Sequence, residues 1–130
     1  MGTRSLTRIY DEDTLLLAIY KQSDGYIEDW GTELKDFVKN GKFVNGISLE
    51  DVGTIGKVFN GIGDFAFQLV LKFKEGVGEI YATTEDNQQE YNYIVRYIHA
   101  KTKKEKDKIE IKCLESGRRN NYNEIIEVGE

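Results

Sequence analysis

Residues 60–76, NGIGDFAFQLVLKFKEG, decide the fold. Ile62, Phe65, Ala66, Leu69, Val70 and Phe73 recur at steps of three and four, which gathers them on one face of a helix. Phe67 and Leu71 widen that stripe, so the spacing predicts a helix covered on more than one side. Asp64 stands near the start, and Lys72 and Lys74 in the last turn, the arrangement that complements the helix dipole. Gly76 suits a left-handed residue just past the end. Burying a large apolar side chain contributes about 1.5–3 kcal/mol, which makes this segment the main core donor. Its start, Asn60-Gly61-Ile62-Gly63, offers backbone N–H groups to a phosphate. Asp64 would repel an anion there, and an ordinary capped core helix is the other reading.

Outward from this helix the pattern changes to strands. On the N-terminal side, residues 6–10 and 15–20 read as two strands joined by the acidic turn Asp11-Glu12-Asp13, whose carboxylates are expected to be solvated. Asp24-Gly25 marks a tight turn. Thr32 is placed to cap a short helix with Leu34, Phe37 and Val38 facing inward, closed by Asn40-Gly41. Residues 42–59 are broken by Asn45-Gly46, Gly53 and Gly56 and are expected to be mostly loop, with one helical turn capped by Ser48.

On the C-terminal side, residues 79–83, 90–98, 109–114 and 122–128 read as strands. Within EYNYIVRYI, Tyr91, Tyr93, Val95 and Tyr97 fall on one face, and Asn92, Ile94, Arg96 and Ile98 on the other. The order ββ-αα-ββββ predicts an α+β fold: an antiparallel sheet with a central buried helix and one or two shorter helices on one side. The whole of 1–130 is expected to form a single domain.

Composition limits the chemistry. A net charge of −5 argues against DNA or RNA polymers as partners. One cysteine, Cys113, excludes an intramolecular disulfide, and one histidine, His99, excludes the usual Cys/His zinc sites. The residues reveal no leader-like apolar region and no run long enough to span a bilayer, so the expectation is a cytoplasmic protein without membrane contact. Gly53-Thr54-Ile55-Gly56-Lys57 fails as a phosphate loop, because Asp51 replaces the first glycine and Val58 the hydroxyl residue. His99 has no patterned partner. The run 101–108 and the pair Arg118-Arg119 read as polar turns.

The segment KQSDGYIEDWG, residues 21–31, gathers a cation, an amide, Tyr26 and the sole tryptophan, Trp30. Aromatics that stack on bases beside cations that meet phosphates are the means of nucleotide capture. The competing reading is that Tyr26 and Trp30 staple this loop to the core. Arg4 and Arg8, four residues apart, are expected to point the same way.

MGTRSLTRIYDED, YKQSDGYIEDWG and the pair VNG…NGIGDFAFQLVLKFK resemble a widespread family of small phage and bacterial proteins. Its members typically begin M-G-T-R-[SG]-L-T and carry a Y-R-Q-x-D-G-Y-P-x-G-x-G loop. The resemblance covers roughly the first three quarters of the chain, continuing through Tyr91-Asn92-Tyr93. Lys21 replaces the usual Arg, Ile27 replaces Pro, and Asp29-Trp30 alters the loop before Gly31. Through this family the chain is similar to phage anti-CBASS sponge proteins, which bind cyclic dinucleotides such as cyclic GMP-AMP without cleaving them, as homo-oligomers.

That resemblance implies a non-enzymatic sponge without cofactor, metal or catalytic residues, acting as a dimer or tetramer in the host cytoplasm. Arg4, Arg8 and Lys21 would neutralise phosphates, Tyr26 and Trp30 would stack on bases, and Asn60 with Gly61 would hydrogen-bond the ligand. Asn60 and Gly61 are accordingly expected near the loop carrying Tyr26 and Trp30. The alternatives are a small metal-dependent hydrolase or nuclease, and a structural or protein-binding adaptor.

Overall fold

The computed structural model describes residues 2–115 and 121–128; the turn assigned to Arg118 and Arg119 lies outside them. The fold is α+β. The chain runs β1 (Ser5–Asp11), β2 (Thr14–Lys21), a π-helical turn (Ile27–Gly31), α1 (Thr32–Asn40), β3 (Lys42–Val44) and a 3-10 turn (Leu49–Asp51). It continues with β4 (Val58–Asn60), α2 (Gly61–Phe73), β5 (Ile80–Ala82), β6 (Tyr91–Ile98), β7 (Asp107–Glu115) and β8 (Asn121–Val128).

Six strands form one sheet in the order β5-β2-β1-β6-β7-β8, and β3 with β4 forms a second, two-stranded one. The main sheet is mostly antiparallel, but its two central strands, β1 and β6, run parallel in the register Thr7↔Tyr93 and Ile9↔Val95. The expected all-antiparallel sheet is thereby corrected. The reason is connectivity: β5 pairs with β2 at the far edge, so the chain must cross β2 and β1 before laying β6 beside β1. Leu6 and Ala18 are buried yet lie outside the main core cluster. Alternation puts both on the sheet face opposite Thr7 and Ile19, and the Thr83 N–H donates to the Ala18 carbonyl (3.0 Å) where the crossover begins.

The core lies on the other face. Ile9, Tyr93, Val95, Tyr97, Ile109, Ile111 and Cys113 project from paired positions and pack with Leu34, Phe37 and Val38 of α1 and Ile62, Phe65, Ala66 and Leu69 of α2. The alternation read in β6 thus matches its burial. An aromatic cluster joins the layers: Phe59 contacts Phe43, Phe65 and Phe37 with ring centroids 4.9, 5.0 and 5.2 Å apart.

Three local expectations change. Phe67 and Leu71 are 72% and 66% exposed, so α2 is covered on one side only; the wide stripe was an outward apolar surface as well as an inward one. Residues 42–44 and 58–60 pair as strands, because Phe43 and Phe59 gain more from the core than the intervening glycines cost. Thr32 opens α1 without capping it: Gly31 holds the N-cap position with no side-chain bond, and the preceding turn is π-helical. Ser48 does cap its short turn, reciprocally with Asp51.

Tyr93 and Cys113 face each other across β6 and β7, both fully buried. Burial pushes the Cys113 thiol up from 9.0 to about 11 and holds the Tyr93 phenol far above its ordinary value. The unfolded thiol ionises first, so its contribution is complete below pH 9 and is lost as pH rises to 11. The two-unit shift corresponds to about 3 kcal/mol. Urea midpoints compared at pH 9 and pH 11 are expected to fall accordingly, with a smaller fall in Cys113→Ala.

Candidate functional site

A cleft of about 630 Å³ lies at one end of the sheet, where the carboxyl ends of β1 and β6 meet the start of α2. Asp11, Tyr97 and His99 form one wall, Asn60, Gly61 and Gly63 the other, and Asp107 lies at its edge. The volume falls within the range usual for small-ligand sites.

The wall from the sheet is built by the β1–β2 turn folding against the end of β6. The Glu12 N–H donates to the Tyr97 carbonyl (2.9 Å), and Arg96 donates back to the Glu12 carbonyl while its guanidinium lies over the Tyr10 ring at 4.5 Å. Each carboxylate of the acidic turn then finds a partner. His99 Nε2 meets Asp11 Oδ1 at 2.7 Å, the His99 backbone N–H donates to Glu12 Oε1 (3.0 Å), and Arg96 reaches Asp13 at 3.4 Å. The expectation of a merely solvated tip is corrected. Arg96 and the His99 backbone N–H tie the tip to the end of β6, while the Asp13 side chain stays exposed.

Beside this clamp, the Tyr97 hydroxyl donates to Asp107 and the Ala100 N–H donates to the same carboxylate (2.7 Å). Burial alone would raise the Asp107 pKa, but these two bonds and the nearby His99 hold it below its ordinary value. Burial, reinforced by Asp107, pushes Tyr97 up. The ring centroids of Tyr97 and His99 are 4.7 Å apart, so the wall is aromatic as well as charged.

The opposite wall is backbone. The first N–H groups of an α-helix have no intrahelical acceptor, and Asn60, at the N-cap of α2, makes no side-chain cap bond. Asn60 Oδ1 instead accepts from the Gly46 N–H (2.8 Å). Asp64 Oδ2 accepts from the Asn60 N–H (2.8 Å) and from Gln68 (2.8 Å). Gly61 has φ +84, a conformation that favours glycine, and beyond the helix's own backbone and chain neighbours nothing within 4 Å would meet a Cβ at Gly61 or Gly63. A ligand can therefore approach this turn closely.

The remaining expected site residues lie elsewhere. Trp30 is wholly buried: its indole N–H donates to Thr7 Oγ1 (2.8 Å) and its ring meets Phe73, the last residue of α2, edge-on at 5.1 Å. It has no face left for a base. Asn60 thus stands at the start of α2, whereas Trp30 packs against its last residue. Their expected proximity is corrected.

Lys21 is buried and bound to Glu79 (2.7 Å), which also accepts from Ser23 (2.9 Å). The Lys21 bond draws the Glu79 carboxyl below its ordinary value. Asp24, Glu33 and Glu75 share this hollow, and burial holds the Glu33 carboxyl above its ordinary range. That end repels a phosphate. Tyr26 is exposed and packs edge-on against Tyr91 at 5.6 Å, while the loop behind it is stapled by Gly25, whose N–H donates to Thr3 and whose carbonyl accepts from Tyr93. Arg4 is exposed ahead of β1; Arg8 projects from the face opposite Thr7, and its buried Nε has no hydrogen-bond partner among the described residues.

The sequence reading set Asp11 and His99 aside, read Tyr97 only as part of a strand face and left Asp107 within a polar turn. Asp11 and His99 are far apart in the chain and meet only because β1 and β6 are parallel neighbours; no local signal carries that. Among the described residues no three His, Cys, Asp or Glu side chains converge as a metal-binding group, and no helix is long and apolar enough to cross a membrane. Compared with known proteins, the chain matches no family model, no curated protein and no solved structure.

Proposed function

We propose that this chain is a binding protein that sequesters a nucleotide signal of the cyclic dinucleotide class, with the cleft at the start of α2 as its site. The observation that carries this reading is the pairing, in one cleft, of uncapped helix N–H groups beside Asn60 and Gly61 with the Tyr97 and His99 rings. The N–H groups suit a phosphate oxygen, against the opposing carboxylates of Asp64, Asp11 and Asp107, and the exposed His99 ring offers a surface for a base. The family resemblance of the N-terminal motif supports the ligand class. Arg4, Arg8, Lys21, Tyr26 and Trp30 have no part in this version of the site.

A second reading rests on the His99–Asp11 contact. A carboxylate at 2.7 Å from one ring nitrogen orients the imidazole and leaves the other nitrogen free to take a proton from water. A hydrolase would use that base against a phosphodiester held at the helix start.

One experiment separates the readings. The protein is incubated with a panel of cyclic dinucleotides, its thermal midpoint is recorded, and bound material is recovered after denaturation. At a ligand concentration about 100-fold above the dissociation constant the fold is expected to gain about 2.7 kcal/mol, with the ligand recovered intact. Cleaved product supports the hydrolase, and a flat panel rejects both in favour of an adaptor. His99→Ala is expected to weaken binding about tenfold, or 1.4 kcal/mol, whereas Tyr26→Ala leaves it unchanged.

A further inference from the structure

The loop between β3 and β4, residues 45–57, runs beside the cleft and is anchored near its two ends. Asn45 lines the cleft, and the far end leads through β4 to Asn60 and Gly61 on the same wall. The Gly46 N–H donates to Asn60 Oδ1 (2.8 Å), and the Gly56 N–H donates to Gln68 Oε1 on α2 (2.8 Å). Between these ties, among the described residues, no hydrogen bond from 47–55 leaves the loop. A segment held so lightly opens and closes at little cost. Three of its side chains are nonetheless apolar and open to water: Ile47, Leu49 and Val52 are 51%, 93% and 63% exposed.

We infer that residues 47–52 form a lid that closes over the cleft, with Ile47 and Leu49 covering a ligand bound there. The inference rests on the cleft being the ligand site. Three observations supply the parts of a lid. The first is a stiff tip. The Ser48 N–H and hydroxyl both donate to Asp51 Oδ2 (3.1 and 3.3 Å), a reciprocal cap that makes the turn Leu49–Asp51 move as one body. The second is a pair of hinges. Gly46 and Gly53 flank that turn with φ +108 and +88, and nothing lies within 4 Å of the Cβ position at either. Glycine serves there for backbone freedom, not for room.

The third is a seat. Leu16 lines the cleft together with Tyr97 and His99 and is 43% exposed, an apolar partner for the tip on the facing rim. Leu49 stands three residues beyond Gly46, a reach of about 10 Å at full extension, comparable with the width of a cleft of about 630 Å³. Closure takes Leu49 out of water and onto that rim. Asn60 links the lid to occupancy, because its side chain holds Gly46 instead of capping α2. A ligand that bonds the Asn60 amide competes with Gly46 and frees the near hinge.

The test is cross-linking within the chain, with cyclic GMP-AMP as the probe. Cys113 is buried, so the native thiol adds little background. Oxidation of Leu16→Cys/Leu49→Cys is expected to give an intrachain disulfide, which needs the two Cα atoms within about 7 Å. Leu16→Cys/Val77→Cys, whose second position is fully exposed between α2 and β5, is expected to stay reduced. The probe is expected to speed the first reaction and leave the second unchanged. Leu49→Asp, at a position too exposed to matter to the fold, is expected to release the probe about tenfold faster with an unchanged association rate. No disulfide in the first pair with or without the probe overturns the lid, as do equal cross-linking of the two pairs and an unchanged release rate. A disulfide without binding of the probe keeps the lid and overturns the ligand reading; binding without a disulfide does the reverse.

Discussion

Trp30→Ala is expected to unfold the chain or bring it close to unfolding. The side chain is wholly buried, and truncating such an aromatic costs about 3–5 kcal/mol through lost burial and the cavity left behind. Thr7 is buried too and loses the indole donor at 2.8 Å, while Phe73 loses its edge-on neighbour at the end of α2. A domain has only about 5–15 kcal/mol to lose. Urea unfolding followed by far-ultraviolet circular dichroism measures the effect, since the substitution deletes the only tryptophan fluorophore. Trp30→Phe keeps most of the ring but leaves the Thr7 hydroxyl without its donor, and about 1–3 kcal/mol is expected to be lost. A base-stacking Trp30 would behave in the opposite way: its alanine variant would fold normally and lose only ligand.

Gly41→Ala is the second large effect, and its cause is a collision. Gly41 has φ −105 and ψ 167, a conformation any residue adopts, so no backbone strain is involved. A Cβ there would lie 2.0, 2.6 and 2.7 Å from three carbons of the Phe59 ring. That ring is fully buried and hemmed in by Phe37, Phe43 and Phe65, so it has nowhere to retreat. Overpacking of this kind costs about 3 kcal/mol. Adding Phe59→Leu to Gly41→Ala frees space, and a double-mutant cycle is expected to show favourable coupling of about 1–3 kcal/mol. Purely additive losses would mean that the ring is not the obstacle. Phe59 immediately precedes Asn60 and Gly61, so the single variant also disturbs the start of α2 and the cleft beside it.

Both substitutions bear on what could be read in advance. Gly41 was legible as a helix terminator, but its closeness to Phe59 was not, because β3 and β4 pair across a loop that reads as irregular. Trp30 was legible as an anchor or a stacking platform, and nothing local separates the two; the Thr7 hydroxyl on a neighbouring strand decides it. The alternation in β6 is a different case. Tyr93, Val95 and Tyr97 announced their common face because side chains on a strand alternate whatever the partners are.

The helix that organises the chain shows the same division. Its existence and its buried face follow from residues 60–76 alone, since a 3.6-residue period is a local property of the backbone; its end does not, because the helix stops at Phe73 with Lys74 as C-cap, ahead of the expected Gly76. Its outward face does not, because Phe67 and Leu71 have the same composition whether a layer covers them or leaves them open. Asn60 and Gly61 emerged from the sequence as a shoulder of a site, yet their companions changed from Tyr26 and Trp30 to Tyr97 and His99. Strand order caused the change. Sequence by itself determined the α+β class, the presence of the core helix and the alternating face of β6, all set within a few neighbouring residues. The parallel pairing of β1 with β6, the His99–Asp11 contact and the burial of Trp30 depend on which distant segments lie side by side, and only the tertiary structure decided them.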